Sequence, residues 1–402
     1  MSTKKDPSGI AIPPDVPEGL RSEKDLIAPF EWYDTQRRDD PVRFSPSREV
    51  YDLFSYEAVK EAFHSPDRLV RPDPWSEDSS DVDSSDPFKY IGRSVLWSDG
   101  SSHDRMKQEM FEHFTPAGLS QFRSTIERIT KTELTDEIGH EQSFDFVADF
   151  AVPVTLKVPM ELLGMPKRDY PKVFEWIEAF IRKGPSEYSS QQSAHSETLK
   201  QATEYLDEFI RRRTRDPQDD LTSIFIHQTP MDREQIGANC FEILLAGQGT
   251  MTDFVSNALY LDDQQDISSM TTDLRTVLAE VLRFRSPVQC QSRVTTEAVQ
   301  IGGTEIPADS KVVLWIGSAN RDPEQFENPG RFDPSRNADH LAFGHGSHSC
   351  IGFTLARIQA PIVLETFLNR FESVQIRDEE IRPLPSPAIL SFERLPVTVQ
   401  YS

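Results

Sequence analysis

From residue 233 to 261 the chain reads REQIGANCFEILLAGQGTMTDFVSNALYL, with apolar side chains recurring three and four positions apart. This is the longest helical repeat in the sequence and predicts one long helix. A second run of the same spacing, IGFTLARIQAPIVLETFLNRF, begins at Ile351. Between about 101 and 230 the helical period dominates, through LSQFRSTIERITKTELTDEI, FDFVADFAVPVTLKVPMELLGMP and residues 206–213 into LTSIFIHQ. Shorter helices are expected over 29–40 and over Tyr56–Phe63. Strand-like alternation is confined to short pieces. Val42, Phe44, Val50 and Leu53 suggest an early hairpin. The run VTTEAVQIGGTEIPADSKVVLW reads as hairpin strands with Gly302 and Gly303 at the turn, and SPAILSFERLPVTV as another hairpin.

Many helices with small sheets predict a mainly α fold of the α+β kind. One domain is expected over 29–402, after an extended lead-in over 1–28. The stretch 71–87, RPDPWSEDSSDVDSSDP, cannot supply a core and is expected as a flexible acidic loop.

Composition changes the picture in three ways. The 402 residues suffice for a sizeable core, and 25 Phe allow a large apolar pocket. Lys+Arg total 43 against 66 Asp+Glu, a formal net charge of −23. Such a surface repels nucleic acid and anionic membrane, so neither is an expected partner. It suits an ordinary acidic enzyme or, the reading we favour, a protein adapted to high salt, where self-repulsion is screened. The three cysteines, Cys240, Cys290 and Cys350, form no disulfide framework and fit a reducing cytoplasm. The polar, proline-rich N-terminus carries no signal peptide or anchor, and no run approaches the roughly 18 apolar residues of a spanning helix.

The chemistry concentrates in Phe343 to Gly352, FGHGSHSCIG. Gly344 and Gly346 let the backbone turn sharply and pass close to a flat ligand. Cys350 stands just ahead of a helix, where the dipole and free N–H groups stabilise a thiolate. A soft metal, iron or zinc, suits that sulfur, and no CxxC or HExxH competes for it.

The pattern F-G-x-G-x-H-x-C-x-G resembles the haem-ligand loop of the cytochrome P-450 family, with Phe343, Gly344, Gly346, His348, Cys350 and Gly352 filling every fixed position. The resemblance covers the chain from about residue 40 to the end. It implies a haem b (iron protoporphyrin IX) held between the long central helix and the cysteine-loop helix, with Cys350 as axial iron ligand. The segment 144–166 resembles the stretch that enters the family's four-helix core, and 71–87 falls where the family has a loop over the substrate pocket.

In the long helix the family motif is A-G-x-acid-T, and this chain has Ala246, Gly247, Gln248, Gly249 and Thr250. Two glycines mid-helix cost about 1 kcal/mol each relative to alanine, so either a local bulge that leaves room for oxygen and water, the reading we favour because Thr250 falls on the motif, or a close helix–helix crossing is expected. Thr250 is implied to supply a hydroxyl that hydrogen-bonds dioxygen and passes protons. Gly249 stands where the acid belongs, so Gln248 or Asp253 is expected to order water instead, or the substrate to lend a hydroxyl. The resemblance assigns the haem propionates to His103, Lys107, Arg293 and His348, with Lys107 in place of the usual arginine. Glu280 and Arg283 form an ExxR pair that can project outward from one helix ridge, and the resemblance implies that it ties the helix to the segment near Asn328, Pro329, Arg331 and Phe332. Leu244, Val288 and Leu390 are expected to line the pocket. The connection between Asn257 and Glu280 looks short, as if one family helix were truncated.

The implied activity is monooxygenation of a small apolar substrate, hydroxylating a C–H or epoxidising a double bond. Electrons come from a separate partner, typically a ferredoxin with its reductase, because no flavin or Fe–S segment is present. A peroxide-driven haem enzyme and a haem-thiolate sensor without turnover are the alternatives. The oligomeric state is not fixed by the sequence.

Overall fold

The computed structural model describes residues 17–71, 92–181, 194–265, 267, 273–336 and 339–401. Apart from Arg71, the acidic stretch 71–87 lies outside them.

The described residues begin with a short turn at Glu18–Leu20 and helix α1 (Glu23–Ile27). Ser22 caps α1: its hydroxyl accepts from the Asp25 N–H at 3.1 Å while the Asp25 carboxylate accepts from the Ser22 N–H. The described part of the lead-in is therefore helical in places, and Leu20 and Leu26 are buried. Next come α2 (Phe30–Asp39), β1 (Val42–Ser45), β2 (Val50–Leu53), α3 (Tyr56–Phe63) and β3 (Leu69–Val70). Helices α4 (Gly100–Phe111) and α5 (Arg123–Thr132), strand β4 (Ser143–Asp145) and helices α6 (Val152–Leu162), α7 (Tyr170–Ile181), α8 (Ala194–Arg215) and α9 (Leu221–Gln228) follow. The long helix α10 spans Arg233–Gln265, and α11 spans Leu274–Phe284. Strands β5 (Gln291–Thr295), β6 (Val299–Ile301), β7 (Thr304–Ile306) and β8 (Lys311–Leu314) lead towards α12 (Phe353–Leu368). The chain ends with β9 (Phe371–Ile376), β10 (Arg382–Pro383), β11 (Phe392–Arg394) and β12 (Pro396–Tyr401).

Two compact units result. The first comprises Met1–Val70, Thr130–Val152 and Thr250–Ser402. Its largest sheet has the order β1-β2-β8-β5-β3. β1 and β2 form the expected hairpin, Val42 opposite Leu53, and β2 runs parallel to β8. The buried faces of α3 and this sheet share one core that includes Val59, Phe63, Val312 and Leu314. A second cluster stacks Phe54 on Trp315 at 5.7 Å, and the Trp315 indole N–H donates to Asp52 at 2.8 Å. β6 and β7 pair around Gly302 and Gly303, both in the left-handed region as a tight turn requires.

The C-terminal hairpin departs from expectation. β11 pairs with β10, not with β12, and β12 lies between β4 and β9. The turn is closed by the Leu384 N–H on the Ser391 carbonyl at 3.0 Å, so its tip lies upstream of SFERLPVTV. The stretch Gly346–Leu368, 23 residues, is long and apolar enough by composition to cross a membrane, contrary to the sequence expectation. It sits among buried residues of the first unit such as Leu355, Val363 and Phe367, as a core helix does.

The second unit comprises Arg71–Ile129 and Pro153–Gly249 and is helical. Arg213 ties its helices by donating to Asp220 at 2.6 Å and to the Gly164 carbonyl at 2.5 Å. Gly164 (φ +72) leaves no room for a side chain, since a Cβ there would lie 2.0 Å from Asp220. No separate helix between α10 and α11 occurs among the described residues, though 266 and 268–272 fall outside them.

Candidate functional site

The cysteine loop is built on α11. Glu280 and Arg283 are each 1% exposed, so the pair turns inward, not outward as the spacing suggested. Arg283 grips Glu280 through two bonds of 2.8 and 2.7 Å and donates to the carbonyls of Asn320 (2.9 Å) and Pro329 (3.1 Å). Glu280 also accepts from the Asp333 N–H at 3.0 Å and from Arg336 at 3.3 Å. Phe332 packs edge-on against Phe284 at 5.6 Å. A buried ion pair persists only when both partners are this fully satisfied. The network fixes the segment ahead of the loop, and Asn320 passes the constraint on by accepting from the Leu341 N–H at 2.7 Å.

From Leu341 the backbone folds back on itself. The Gly344 N–H donates to the Leu341 carbonyl, and the Cys350 N–H to the Phe343 carbonyl, each at 2.8 Å. Gly344 (φ +68) and Gly346 (φ +69) take left-handed conformations, and a Cβ on Gly346 would lie 2.5 Å from the Phe63 carbonyl. Only glycine lets the loop press so closely on α3. Cys350 emerges exposed, two residues before the N-cap Gly352 of α12. A Cβ at Gly352 would stand 3.8 Å from the cysteine sulfur, in ordinary contact with it. Phe343 and Phe353 flank the loop at 6.4 Å, with Arg357 over both rings. His348 lies half-buried in the turn Gly346–His348.

Arg293, on β5, is 3% exposed, with its guanidinium 5.7 Å from the Phe63 ring. Phe63 thus touches both the loop and Arg293. The sequence gives no sign of that role, because an apolar residue in an apolar helix reads as core. The first unit therefore brings together Cys350, Phe343, Gly344, Gly352, His348 and Arg293.

Helix α10 is unbroken over its 33 residues, so the expected bulge is absent. Its glycines are not demanded by packing: a Cβ on Gly247 would meet Pro159 at an ordinary 3.8 Å, and one on Gly249 would meet nothing within 4 Å. Ala246 and Thr250, four apart, are solvent-exposed, whereas Gln248 is buried. Asp253, also buried, accepts from the Ser391 hydroxyl, and burial pushes its carboxyl up to about 7. Asn257 donates to the Leu390 carbonyl at 2.7 Å. Leu244 and Leu390 are buried and Val288 partly so, Val288 bridging Ile389. In the second unit His103 is 2% exposed in the first turn of α4, its Nδ1 2.9 Å from Asp104. Lys107 follows one turn later, half-buried.

A single exposed thiol at a helix head is a poor site for a bare cation. Among the described residues no group of three or more His, Cys, Asp or Glu side chains could hold a metal. The donor set fits a metal that brings most of its own ligands in a flat macrocycle, with sulfur filling one axial position. The glycine-turned loop and the buried Arg293 cation are consistent with such a group bearing acidic side chains.

Comparison with known proteins agrees. The family model for Cytochrome P450 matches residues 262–401. Cytochrome P450 109 of Bacillus spizizenii is 31% identical over 417 residues, covering 100% of this chain and 98% of that protein. Erythromycin C-12 hydroxylase of Saccharopolyspora erythraea is 29% identical, covering 93% and 95%. The crystal structure of P450BioI in complex with hexadec-9Z-enoic acid ligated acyl carrier protein superposes with a TM-score of 0.85 at 27% identity, covering 94% and 99%. The chain belongs to the cytochrome P450 family. It is a haem-iron oxidoreductase of the P450 monooxygenase type.

Proposed function

We propose that Cys350 is the axial thiolate of a haem b and that the protein inserts one oxygen atom into an apolar substrate, by hydroxylation or epoxidation. When bound, the haem iron uses dioxygen, two electrons and two protons, so that one oxygen enters the substrate and the other leaves as water. The observation that carries the reading is an exposed cysteine presented by a glycine-turned loop at the head of α12.

Around it the chain's own groups take distinct parts. Arg293, His348, His103 and Lys107 meet the haem propionates, Lys107 as a point charge without arginine's fork. Phe343, Gly344, Gly352, Ala246 and Gly247 offer the surfaces a flat ring packs on. Thr250 supplies a hydroxyl for proton delivery, and Gln248 orders water from its buried position on another face of α10. Leu244, Val288 and Leu390 face the substrate. Residues 29–402 work as one domain.

The names of two relatives, which print a hexadec-9Z-enoic acid carried on an acyl carrier protein and erythromycin, support a substrate with an extended carbon skeleton. A ferredoxin-type donor with its reductase supplies electrons, in a cytoplasmic and salt-rich setting to which the acidic surface is suited. Gly249 favours one second reading, a peroxide-driven enzyme, because no acid stands beside Thr250. Turnover with NAD(P)H and a ferredoxin system, and none with peroxide, supports the first reading; the reverse supports the second.

The test is the absorption spectrum of the reduced, carbon-monoxide-bound protein. A Soret band at the thiolate position is expected for the wild type, and its loss in Cys350→Ser. An unchanged band in that variant overturns the assignment.

A further inference from the structure

Arg285 caps the C-terminus of α11, and Arg321 follows the helical turn Ile316–Ala319; both belong to the first unit. They are 3% and 7% exposed. One ring borders both: the centre of Phe30 is 3.5 Å from the Arg321 guanidinium carbon and 6.0 Å from that of Arg285. Phe284 also covers Arg321 at 3.8 Å, while Tyr260 and Phe392 face Arg285 at 4.6 and 5.9 Å. The oxygens these guanidiniums reach are neutral. Arg285 donates to the Asn257 amide oxygen at 3.0 Å and to the Ile27 carbonyl at 3.1 Å, and Arg321 to the Phe284 carbonyl at 3.0 Å. The Nη2 atom of each is buried with no hydrogen-bond partner among the described residues.

The local charge is one-sided. Arg283, Arg285 and Arg37 all lie near enough to Arg321 to disfavour its charge. Arg283 is matched by Glu280 and Arg37 by Asp34. Arg285 and Arg321 meet only carbonyls and an amide. Burial lowers Arg285 to about 10, which still leaves it protonated at neutral pH. A buried cation without a carboxylate forfeits hydration that aromatic faces and neutral oxygens offset only in part. Two such cations around one ring call for a counter-ion. The closed, aromatic surroundings favour a small monovalent anion, because a dianion such as sulfate forfeits far more hydration on entry.

We propose that Arg285 and Arg321 hold a small monovalent anion, of the chloride or bromide class, against their Nη2 edges. The anion joins the end of α11 to the segment after β8, at a point where Arg285 already reaches Ile27 of α1 and Asn257 of α10. It binds the folded chain alone and so stabilises it by mass action. The site is independent of the Cys350 assignment.

The test is urea unfolding of the purified haem-loaded protein at one total salt concentration of about 0.5 M, with sodium chloride replacing sodium gluconate from about 0.02 M upwards, so that the Debye length stays fixed. Above half-saturation, each tenfold rise in chloride should multiply the folding equilibrium constant of wild type about tenfold, as one anion bound only by the native state requires. Bromide should act likewise. R285M and R321M should each reduce the response to about twofold or less. A flat wild-type response overturns the proposal. So does either variant that unfolds at lower urea yet keeps the full response, the mark of a merely structural guanidinium. A sulfate response at matched ionic strength that exceeds chloride's and disappears in R285M overturns the monovalent class. Where a variant does not fold, anomalous scattering from wild-type crystals grown in sodium bromide decides. A bromide peak beside the two Nη2 atoms supports the site; bromide found only elsewhere, or nowhere, overturns it.

Discussion

Glu280 shows how much depends on one carboxylate. Four groups from α11 and the segment before the cysteine loop converge on it, in a place closed to water. Removing one member of a buried pair leaves the other charge uncompensated, at about 3–5 kcal/mol. Glu280→Gln should therefore lower unfolding stability by about that much and weaken haem retention, measured by urea titration and by haem content after gel filtration. A loss below about 1 kcal/mol would mean the network is surface-like. The pairing of Glu280 with Arg283 was legible from their spacing, but its direction was not. Inward or outward depends on which carbonyls come within reach, and those of Asn320 and Pro329 arrive from distant parts of the sequence. For the same reason Cys350, with its glycines, could be read from ten residues, whereas the place of Phe63 between the loop and Arg293 could not.

Among the elements, the long helix was the plainest to read, because its apolar repeat runs nearly its full length. Its interior was misread. Two glycines suggested a bulge, yet α10 is continuous and nothing presses on Gly249. A glycine there costs helix stability without steric need, so Gly249→Ala should stabilise the protein by about 0.5–1 kcal/mol. The same open space admits a longer side chain, so Gly249→Asp should fold normally and place an acid next to Thr250. If proton delivery limits the enzyme, this variant should raise product formed per NAD(P)H consumed, by a factor of about 2 or more. Coupling unchanged in Gly249→Asp but lost in Thr250→Ala would show that the existing groups already suffice. The C-terminal hairpin was the element read least well. Its strands were seen, but β11 chose β10 and left β12 to a sheet formed with β4, more than 200 residues away in sequence. Alternation marks a strand; it does not name its neighbour.

Across the full chain, charge and buried titration govern stability. With a net charge of −23, compaction brings acids together, so added salt should raise the unfolding midpoint steadily from about 0.05 M to about 1 M, as the Debye length shrinks. A midpoint indifferent to salt would remove the argument for a saline setting. The pH response has two opposed parts. Burial pushes Asp253 and Glu242 up to about 7. Their native forms hold protons that the unfolded chain has released, so their contribution falls as pH rises from about 4 to about 7 and stays low above it. Burial, with Arg357 nearby, lowers His340 to about 4, so the unfolded chain binds the extra proton and this contribution rises with pH up to about 6.5. The two acids outweigh the one histidine, and stability should decline towards neutral pH about as steeply as one of the acids alone would require. Asp253→Asn separates the parts, because an amide keeps the oxygen that accepts from Ser391 but never ionises. Its advantage over wild type should be small near pH 4 and reach about 1–4 kcal/mol at about pH 8, read from urea midpoints at each pH. An advantage that does not change with pH would place the effect in packing against Ser391 and take Asp253 out of the account.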